Sequence, residues 1–160
     1  FQQSQLVSNL TLLENVAVTG YLNKKYSSAE TKRRAIELLT KMNLEKAINR
    51  YPSQVSGGEA QRAAIARAML KKPGILFADE PTGALNRRNT TDVLNLLTEL
   101  NLAGQSILMV THDIRAAIRA TRLLYLEDGR IIGEMELPPY EADAKSREAQ
   151  TNAWLTSMAW

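Results

Sequence analysis

Two short, uninterrupted apolar runs constrain the fold of this chain more than any other feature. They occupy residues 75–78 (Ile-Leu-Phe-Ala) and 107–110 (Ile-Leu-Met-Val), and polar residues follow each run at once. Such runs are typical of strands that are buried on both faces of a parallel sheet. Between them, residues 87–102 have apolar side chains at helical spacing, namely Val93, Leu96, Leu97 and Leu100. Strand, helix and strand in this order predict a parallel α/β sheet.

The part of the chain before these strands is predicted to be helical. Helices are expected at residues 10–17, 29–44 and 60–70. Thr11 and Glu14 have the spacing of a capping box at the start of the first helix, and residues 20–28 are expected to form a loop. The second helix has one apolar face, formed by Ala35, Leu38, Leu39 and Met42.

After the strands, the chain is predicted to form a short helix, a hairpin and a terminal helix. The short helix is expected at residues 114–121, and an Asp-Gly pair joins hairpin strands at 123–127 and 130–136. The tail, 146–160, is expected to be an amphipathic helix that packs on its own domain rather than on a partner. Its apolar residues are Trp154, Leu155, Met158 and Trp160.

The composition excludes several classes of protein. With 44% hydrophobic and 23% charged residues, the chain has the composition of one globular domain and not of a disordered or collagen-like protein. It has no cysteine, which excludes disulfides, thiolate metal sites and a cysteine nucleophile, and makes the cytoplasm the default compartment. A net charge of +3 with no run of five like charges predicts no nucleic-acid partner. No apolar stretch approaches the roughly 18 residues that span a bilayer, so a membrane role would require a partner.

Polar residues that could take part in catalysis or ligand binding follow both predicted strands. Asp79 and Glu80 come after the first, and His112 comes after the second. Ligands of parallel α/β sheets bind at the carboxyl ends of the strands. Two carboxylates after an apolar strand are the pattern by which phosphate-transferring ATPases hold Mg²⁺ with one acid and orient water with the other. The alternatives are a solvated acidic turn for the carboxylates and a core histidine for His112.

A second motif, Ser56-Gly57-Gly58-Glu59, precedes the third predicted helix. Glycines at a helix start leave backbone N–H groups open to an anion at the positive end of the helix. The alternative is a simple capping box, because Ser56 and Glu59 have the Ser-x-x-Glu spacing. Each glycine costs about 1 kcal/mol relative to alanine in a helix, which favours the close approach of a ligand over a mere cap.

Taken together, these segments resemble the ATP-binding domain of ABC transporters over nearly the whole chain. The matching segments are the signature sequence at 55–59, the Walker B strand at 75–80, the D-loop at 82–86, the switch histidine at His112 and the Q-loop glutamine at Gln2. The resemblance implies an α/β fold: the carboxyl part of a P-loop NTPase of the ABC type, with a parallel sheet, an all-helical signature subdomain and a C-terminal hairpin and helix. Residues 78–85 further resemble the bacterial branch that exports lipoproteins, macrolides and antimicrobial peptides.

The resemblance also implies ATP and Mg²⁺ as ligands and a role for each site residue. Asp79 would hold Mg²⁺ through its water shell, and Glu80 would polarise the attacking water. His112 would contact the γ-phosphate, and Gln2 would sense it beside the metal. Two domains of this family close head to tail, so each signature would grip the nucleotide held by the other copy. The nucleotide-binding residues of this shared site would be Ser56, Gly57, Gly58, Glu59 and Asn86.

The sequence departs from the family pattern at two points. No Gly-x-x-x-x-Gly-Lys-Ser/Thr occurs, so the phosphate loop is expected to lie before Phe1, and the chain alone is expected to be an inactive fragment. Asn86 stands where the D-loop usually ends in aspartate, which affects the contact across the dimer. The expected parts are the Q-loop and helical signature subdomain at 1–72, the carboxyl half of the catalytic subdomain at 73–140, and a helical tail at 141–160.

The function that the resemblance implies is that of an ATP-binding subunit of an ABC transporter. It would couple ATP hydrolysis to export of an amphipathic cargo such as an antimicrobial peptide, a lipoprotein or a drug. Its partners would be a second ATPase domain, in a homodimer, and a multi-span permease at the cytoplasmic face of the plasma membrane. One alternative is a soluble ABC-type ATPase acting on ribosomes or DNA, although the Asp-Glu-Pro-Thr-Asn-His-Leu-Asp motif and the heptad arms of those classes are missing. Another is a non-catalytic interaction fragment.

Overall fold

The computed structural model describes residues 5–23, 26–140 and 144–158. The chain divides into two compact units, Phe1–Val110 and Thr111–Trp160. The first unit contains α1 (Leu12–Asn23), α2 (Ser28–Lys41), α3 (Gly57–Met69), β1 (Ile75–Asp79), α4 (Arg87–Leu102) and β2 (Ser106–Val110). The second contains α5 (Ile114–Ala117), β3 (Arg122–Glu127), β4 (Arg130–Glu136) and α6 (Ala144–Ser157). Single 3₁₀ turns at Glu45–Ala47 and Pro52–Gln54 lie between α2 and α3.

In the first unit, α1, α2 and α3 pack against one another and share their core with β1 and α4. The predicted stripes of α2 and α4 both face inward, because apolar residues three and four apart lie on one side of a helix. The buried cluster includes Leu12, Val16, Ala35, Leu39, Met42, Ala63, Ala66, Leu70, Leu76, Val93 and Leu97.

The first helix differs from its prediction. The expected capping box forms, with the Thr11 backbone N–H donating to Glu14 Oε2 at 2.7 Å. However, α1 continues through Gly20 to Asn23, where a loop was expected. A Cβ on Gly20 would lie 2.5 Å from Thr31 Cγ2 on α2. The glycine therefore permits close packing of two helices and does not end the first one.

The two strands of this unit form the parallel pair that the sequence predicts. Their register runs from Ile75 opposite Ser106 to Asp79 opposite Val110, and α4 connects them. The expectation that both strands are buried on both faces is wrong for the described residues. The inner face is buried or half-buried, but Phe77 is 70% and Val110 60% exposed on the other face. No element in the described part of the chain covers that outer face.

The second unit is built from a hairpin and two helices. Strands β3 and β4 pair antiparallel, and the turn residues Asp128 and Gly129 both have positive φ, as the predicted tight turn requires. The short helix α5 ends at Ala117, four residues before its predicted end. Helix α6 packs against α5, and its Trp154 ring meets Tyr125 edge-on at 6.5 Å, so the tail packs on its own unit.

The predicted tail forms helix α6, which has one buried side. The buried residues of α6 recur every four positions, which gives the helix one inward stripe of Arg147, Thr151 and Leu155. Trp160, which was expected to belong to the apolar side of the tail, lies outside the described residues. Of the helices in the described ranges, none has the length and apolar character that crossing a membrane requires.

Candidate functional site

The site begins where β1 ends. Asp79 is the last residue of the strand and is exposed, and Glu80 follows it half-buried. The Glu80 backbone N–H donates to the Val110 carbonyl at 2.8 Å, which extends the pairing with β2 one residue beyond the strand. Glu80 also has φ of 45°, an uncommon conformation for a residue other than glycine. Both carboxylates therefore leave the sheet at its carboxyl edge, as the sequence predicts.

Two consecutive turns lead from this edge to α4. The Gly83 N–H donates to the Glu80 carbonyl at 3.1 Å, and the Leu85 N–H donates to the Thr82 carbonyl at 3.0 Å. Thr82 is only 4% exposed, and its hydroxyl has no hydrogen-bond partner among the residues that the structure describes. Buried hydroxyls are usually paired, so this segment has unused hydrogen-bonding capacity.

Asn86 has a local role that the sequence interpretation missed. It is the N-cap of α4, and its Oδ1 accepts from the Asn89 backbone N–H at 2.9 Å. Helix α4 then runs over the residues predicted for it. Asparagine and aspartate are about equally good N-caps, so the departure from the family pattern at this position leaves the helix start intact.

The signature segment forms the capping box that was its alternative interpretation. Ser56 Oγ accepts from the Glu59 N–H at 3.2 Å, and Glu59 Oε2 accepts from the Ser56 N–H at 2.8 Å. The hydrogen bond from the Ser56 backbone lowers the pKa of Glu59 below its ordinary value. Helix α3 consequently begins at Gly57, three residues before its predicted start. Glu59 is thus occupied in holding the loop in shape.

The two signature glycines have different surroundings. Gly57 is exposed, and a Cβ there would lie 3.3 Å from Leu85 Cδ2. Gly58 is buried, and a Cβ there would lie only 2.7 Å from Asn89 Cγ and 2.9 Å from its Cβ. The start of α3 therefore rests on the D-loop and the first turn of α4 in the same chain. Packing between helices explains Gly58, whereas Gly57 is open to a ligand.

His112 belongs to the second unit and follows the end of β2 by two residues. It is exposed and does not belong to the hydrophobic core of the described residues. The next residue, Asp113, is the N-cap of α5 and accepts from the Arg115 N–H at 2.9 Å. Burial raises the pKa of Asp113, but hydrogen bonds and the charge of Arg115 outweigh it and lower the pKa overall. Thr111 Oγ1 accepts from the Asp113 N–H at 3.0 Å, so His112 lies within a hydrogen-bonded turn.

The predicted site residues thus fall into separate groups. Asp79 and Glu80 share one sheet edge, and the signature lies beside the turn that contains Asn86, whereas His112 is in the other unit. Gln2 lies outside the described residues.

The carboxylates at the end of β1 can be tested for Mg²⁺. The described residues contain no group of three or more histidine, aspartate or glutamate side chains that could hold a metal ion. Mg²⁺ usually keeps several waters and binds through one or two carboxylates together with substrate phosphates. The exposed Asp79 beside Glu80 fits an ion of that kind.

The structure reveals two features that sequence reasoning did not find. One is a cavity of about 310 Å³ beside β1, with a wall that includes Gln61, Arg67, Lys71, Phe77 and Asp79. The other is the buried guanidinium of Arg147 on α6. In the sequence, Arg147 is marked only by its position on the same helical stripe as Thr151 and Leu155. An arginine is usually exposed, so its burial was not predicted.

Comparison with known families and sequences gives consistent matches. A family model described as ABC transporter matches residues 1–83. The macrolide export ATP-binding/permease protein MacB of Pectobacterium atrosepticum is 41% identical over 152 residues, which are 95% of this chain and 23% of that protein. ABC transporter H family member 2 of Dictyostelium discoideum is 43% identical over 132 residues, 82% of this chain and 26% of that protein.

Two solved structures of one dimeric ATP-binding cassette also match. The cassette in a post-hydrolysis state with ADP and Pi has a TM-score of 0.75 and 40% identity, over 88% of this chain and 62% of that chain. A second dimeric structure, described as a bacterial ABC transporter cassette, has a TM-score of 0.73 and 42% identity over the same shares. The present chain therefore spans about a quarter of these sequence relatives and less than two thirds of the solved cassettes.

Proposed function

The chain belongs to the ABC transporter family and has the α/β fold of its ATPase cassettes, and from this premise we propose that it is part of the ATP-binding subunit of an exporter. The complete protein would couple ATP hydrolysis to the export of an amphipathic cargo such as a macrolide, a lipoprotein or an antimicrobial peptide. The observation that best supports this function is the pair Asp79 and Glu80 at the carboxyl edge of a parallel sheet, in a chain 41% identical to a macrolide exporter.

In this proposal the two carboxylates have different roles. Asp79, which is exposed at the strand end, would hold Mg²⁺ that arrives with ATP. The ion would neutralise charge on the phosphates when bound. Glu80 would act as the base that polarises the attacking water. Its backbone bond to Val110 fixes the start of the turn from which the side chain projects.

The shared site would require a second copy of the domain. We propose that two copies close head to tail, and the dimeric state of the solved relative supports this arrangement. Ser56 and Gly57, both exposed at the positive end of α3, would contact the γ-phosphate held by the other copy. Gly58 and Glu59 would support that contact by shaping the loop. His112 in each copy would contact the γ-phosphate.

The phosphate loop and its lysine would come from a segment outside this sequence. The exposed outer face of β1 and β2 supports this proposal, because Phe77 and Val110 leave apolar surface in water that a further segment would cover. Gln2 as the Q-loop residue stays a prediction. The division into parts 1–72, 73–140 and 141–160 also stays a prediction. The change from helices to strands between α3 and β1 supports its first boundary.

The proposed place of action is the cytoplasmic face of the plasma membrane, with attachment through a permease. The similarity to proteins named as macrolide export ATP-binding/permease supports a permease partner.

The experiment that tests the ATPase is the substitution Glu80→Gln in the full-length protein. It preserves the size of the side chain and its hydrogen-bonding capacity but removes the base, so turnover should fall by about 100-fold or more while ATP still binds. Steady-state hydrolysis and retention of labelled ATP measure the two effects. Glu99→Gln, at an exposed position on α4, is the matched control and should leave both unchanged. Near-normal hydrolysis by Glu80→Gln would reject Glu80 as the base.

A further inference from the structure

The guanidinium of Arg147 is buried within the second unit, where its neighbours are backbone carbonyls. The residue is 7% exposed. Its Nε donates to the Ile118 carbonyl, Nη2 donates to the Ala120 carbonyl at 2.6 Å, and Nη1 donates to the Pro138 carbonyl at 2.7 Å. A longer bond of 3.4 Å reaches the Pro139 carbonyl. A planar fork with five N–H donors can bind several carbonyls at once, which a lysine ammonium cannot do with the same geometry.

Two of the carbonyls that Arg147 binds, those of Ile118 and Ala120, lie at the end of the segment that begins with His112. Helix α5 is a single turn, Ile114–Ala117, and Ile118 and Ala120 follow it directly. The last carbonyls of a helix have no partner within the helix. Arg147 binds the carbonyl of the C-cap residue Ile118 and that of Ala120 beyond it, so its positive charge lies at the negative end of this turn. A single turn is also too short to be stable by itself, so its contacts determine where it lies.

His112 lies just before the other end of the same turn. Asp113 caps α5 by accepting from the Arg115 N–H, and His112 is the residue before that cap. The segment from 112 to 120 is therefore fixed at two points, by the Asp113 cap at its start and by Arg147 at its finish. Ala116 and Ile118 are buried in between, at 3% and 6% exposure.

We propose that Arg147 is a positioning residue for His112: it fixes the backbone that follows α5 and so limits the movement of the turn that begins next to the histidine. This inference rests on the proposed function, in which His112 contacts the γ-phosphate. It gives the C-terminal helix a role in ATP turnover, since Arg147 connects α6 to the turn that follows the histidine.

The test is a double-mutant cycle in the full-length protein. Arg147→Ala should lower kcat about tenfold and leave KM for ATP within about twofold, because the loss concerns alignment in the transition state. In a His112→Ala background the same substitution should change kcat less than about twofold, since residues that act through one another are not additive. Hydrogen exchange of the backbone amides of residues 114–120 should become faster in Arg147→Ala, whether or not ATP is present.

Two further variants complete the design. Arg122→Ala is the matched control, because Arg122 forms an exposed ion pair with Glu134 on the hairpin and should affect neither kcat nor exchange at 114–120. Arg147→Lys keeps the charge without the fork and should give intermediate values. If Arg147→Ala does not fold, the cycle is carried out with Arg147→Lys.

The outcomes separate the inference from the function on which it rests. Equal losses of kcat on both backgrounds, or wild-type turnover in Arg147→Ala, would overturn the positioning role while leaving the ATPase in place. A wild-type protein that hydrolyses no ATP would instead overturn the proposed function, and the inference with it.

Discussion

At the scale of single residues, the two signature glycines differ in how much space surrounds them. A methyl group on Gly58 would meet Asn89 at 2.7 Å, so Gly58→Ala requires the start of α3 and the start of α4 to move apart. We expect a loss of stability of about 1–3 kcal/mol from this overpacking, reduced by up to about 1 kcal/mol of helix propensity. Thermal unfolding of the full-length protein measures it.

Gly57→Ala is the matched control for that substitution. The nearest atom to its new methyl group would be the flexible end of Leu85 at 3.3 Å, which can shift by a few tenths of an ångström. The stability of Gly57→Ala should therefore equal or exceed that of the wild type. If both variants unfold at the wild-type temperature, close contact between α3 and α4 is not what requires glycine at position 58.

Asn86 allows a test that separates helix capping from contact between copies. Asn86→Asp keeps the cap of α4 and adds a negative charge at the positive helix end, worth about 0.3–1 kcal/mol. Stability should therefore be unchanged or slightly raised, and we expect the two ATP sites to become more strongly coupled by about 1 kcal/mol. The Hill coefficient of ATP hydrolysis measures the coupling.

A companion variant, Asn86→Ala, removes the cap and should cost about 1 kcal/mol of stability. Unaltered cooperativity in Asn86→Asp would show that the cap is the whole role of this residue.

Sequence reasoning at this scale succeeded where the signal was local. Asp79, Glu80 and His112 were placed from their position directly after apolar runs, and the structure has them at strand ends or in the turn that follows. The contact of Gly58 with Asn89 and the burial of Arg147 were not predictable in this way. Gly58 contacts a residue 31 positions away, and Arg147 binds carbonyls that lie 29, 27 and 9 positions away, so no pattern of neighbouring residues encodes these partners.

At the scale of elements, the start of α3 gives the stability a defined pH dependence. The pKa of Glu59 is lowered from its ordinary value of 4.5 by the N–H that the Ser56 backbone donates. The stabilisation is therefore fully present above pH 4.5 and is lost as pH falls through the lower pKa of the folded state. Glu59→Ala should unfold at a lower temperature than the wild type at pH 7, and the difference should shrink towards pH 3.

The control for this pH series is Glu99→Ala, at an exposed position in the interior of α4. Its unfolding temperature at pH 7 should lie close to that of the wild type. A Glu59→Ala difference that grows as the pH falls would contradict the role of the charged carboxylate in the capping box.

The accuracy of the element predictions depended on how local the boundary signals were. Helix α4 was predicted over its full length, since its apolar residues recur at helical spacing and Gly104 follows its end. Both parallel strands were predicted to within one residue at each end. Helix α1 was predicted too short, because Gly20 was read as a loop residue and its contact with Thr31 is not visible in the sequence. The exposed face of β1 was missed because burial depends on what else covers a sheet.

At the scale of the whole molecule, the proposed exporter requires a membrane partner. We expect the full-length protein, expressed with and without a multi-span permease encoded beside it, to co-purify with membranes only when the permease is present. We also expect the rate of ATP hydrolysis to change when the permease is present. Membrane fractionation and hydrolysis assays measure these effects. Ribosome or DNA association with membrane-independent hydrolysis would favour a soluble ABC-type ATPase instead.

The left-handed backbone conformation of Glu80 implies a trade-off between thermal stability and catalysis. A non-glycine residue at φ of 45° stores strain, of order 1 kcal/mol, which glycine or asparagine at that position would relieve. The proposed base therefore occupies a position that stability alone would assign to another residue. Selection of variants for thermal stability alone would therefore favour replacement of Glu80. The resulting protein would be more stable but would lack the proposed catalytic base.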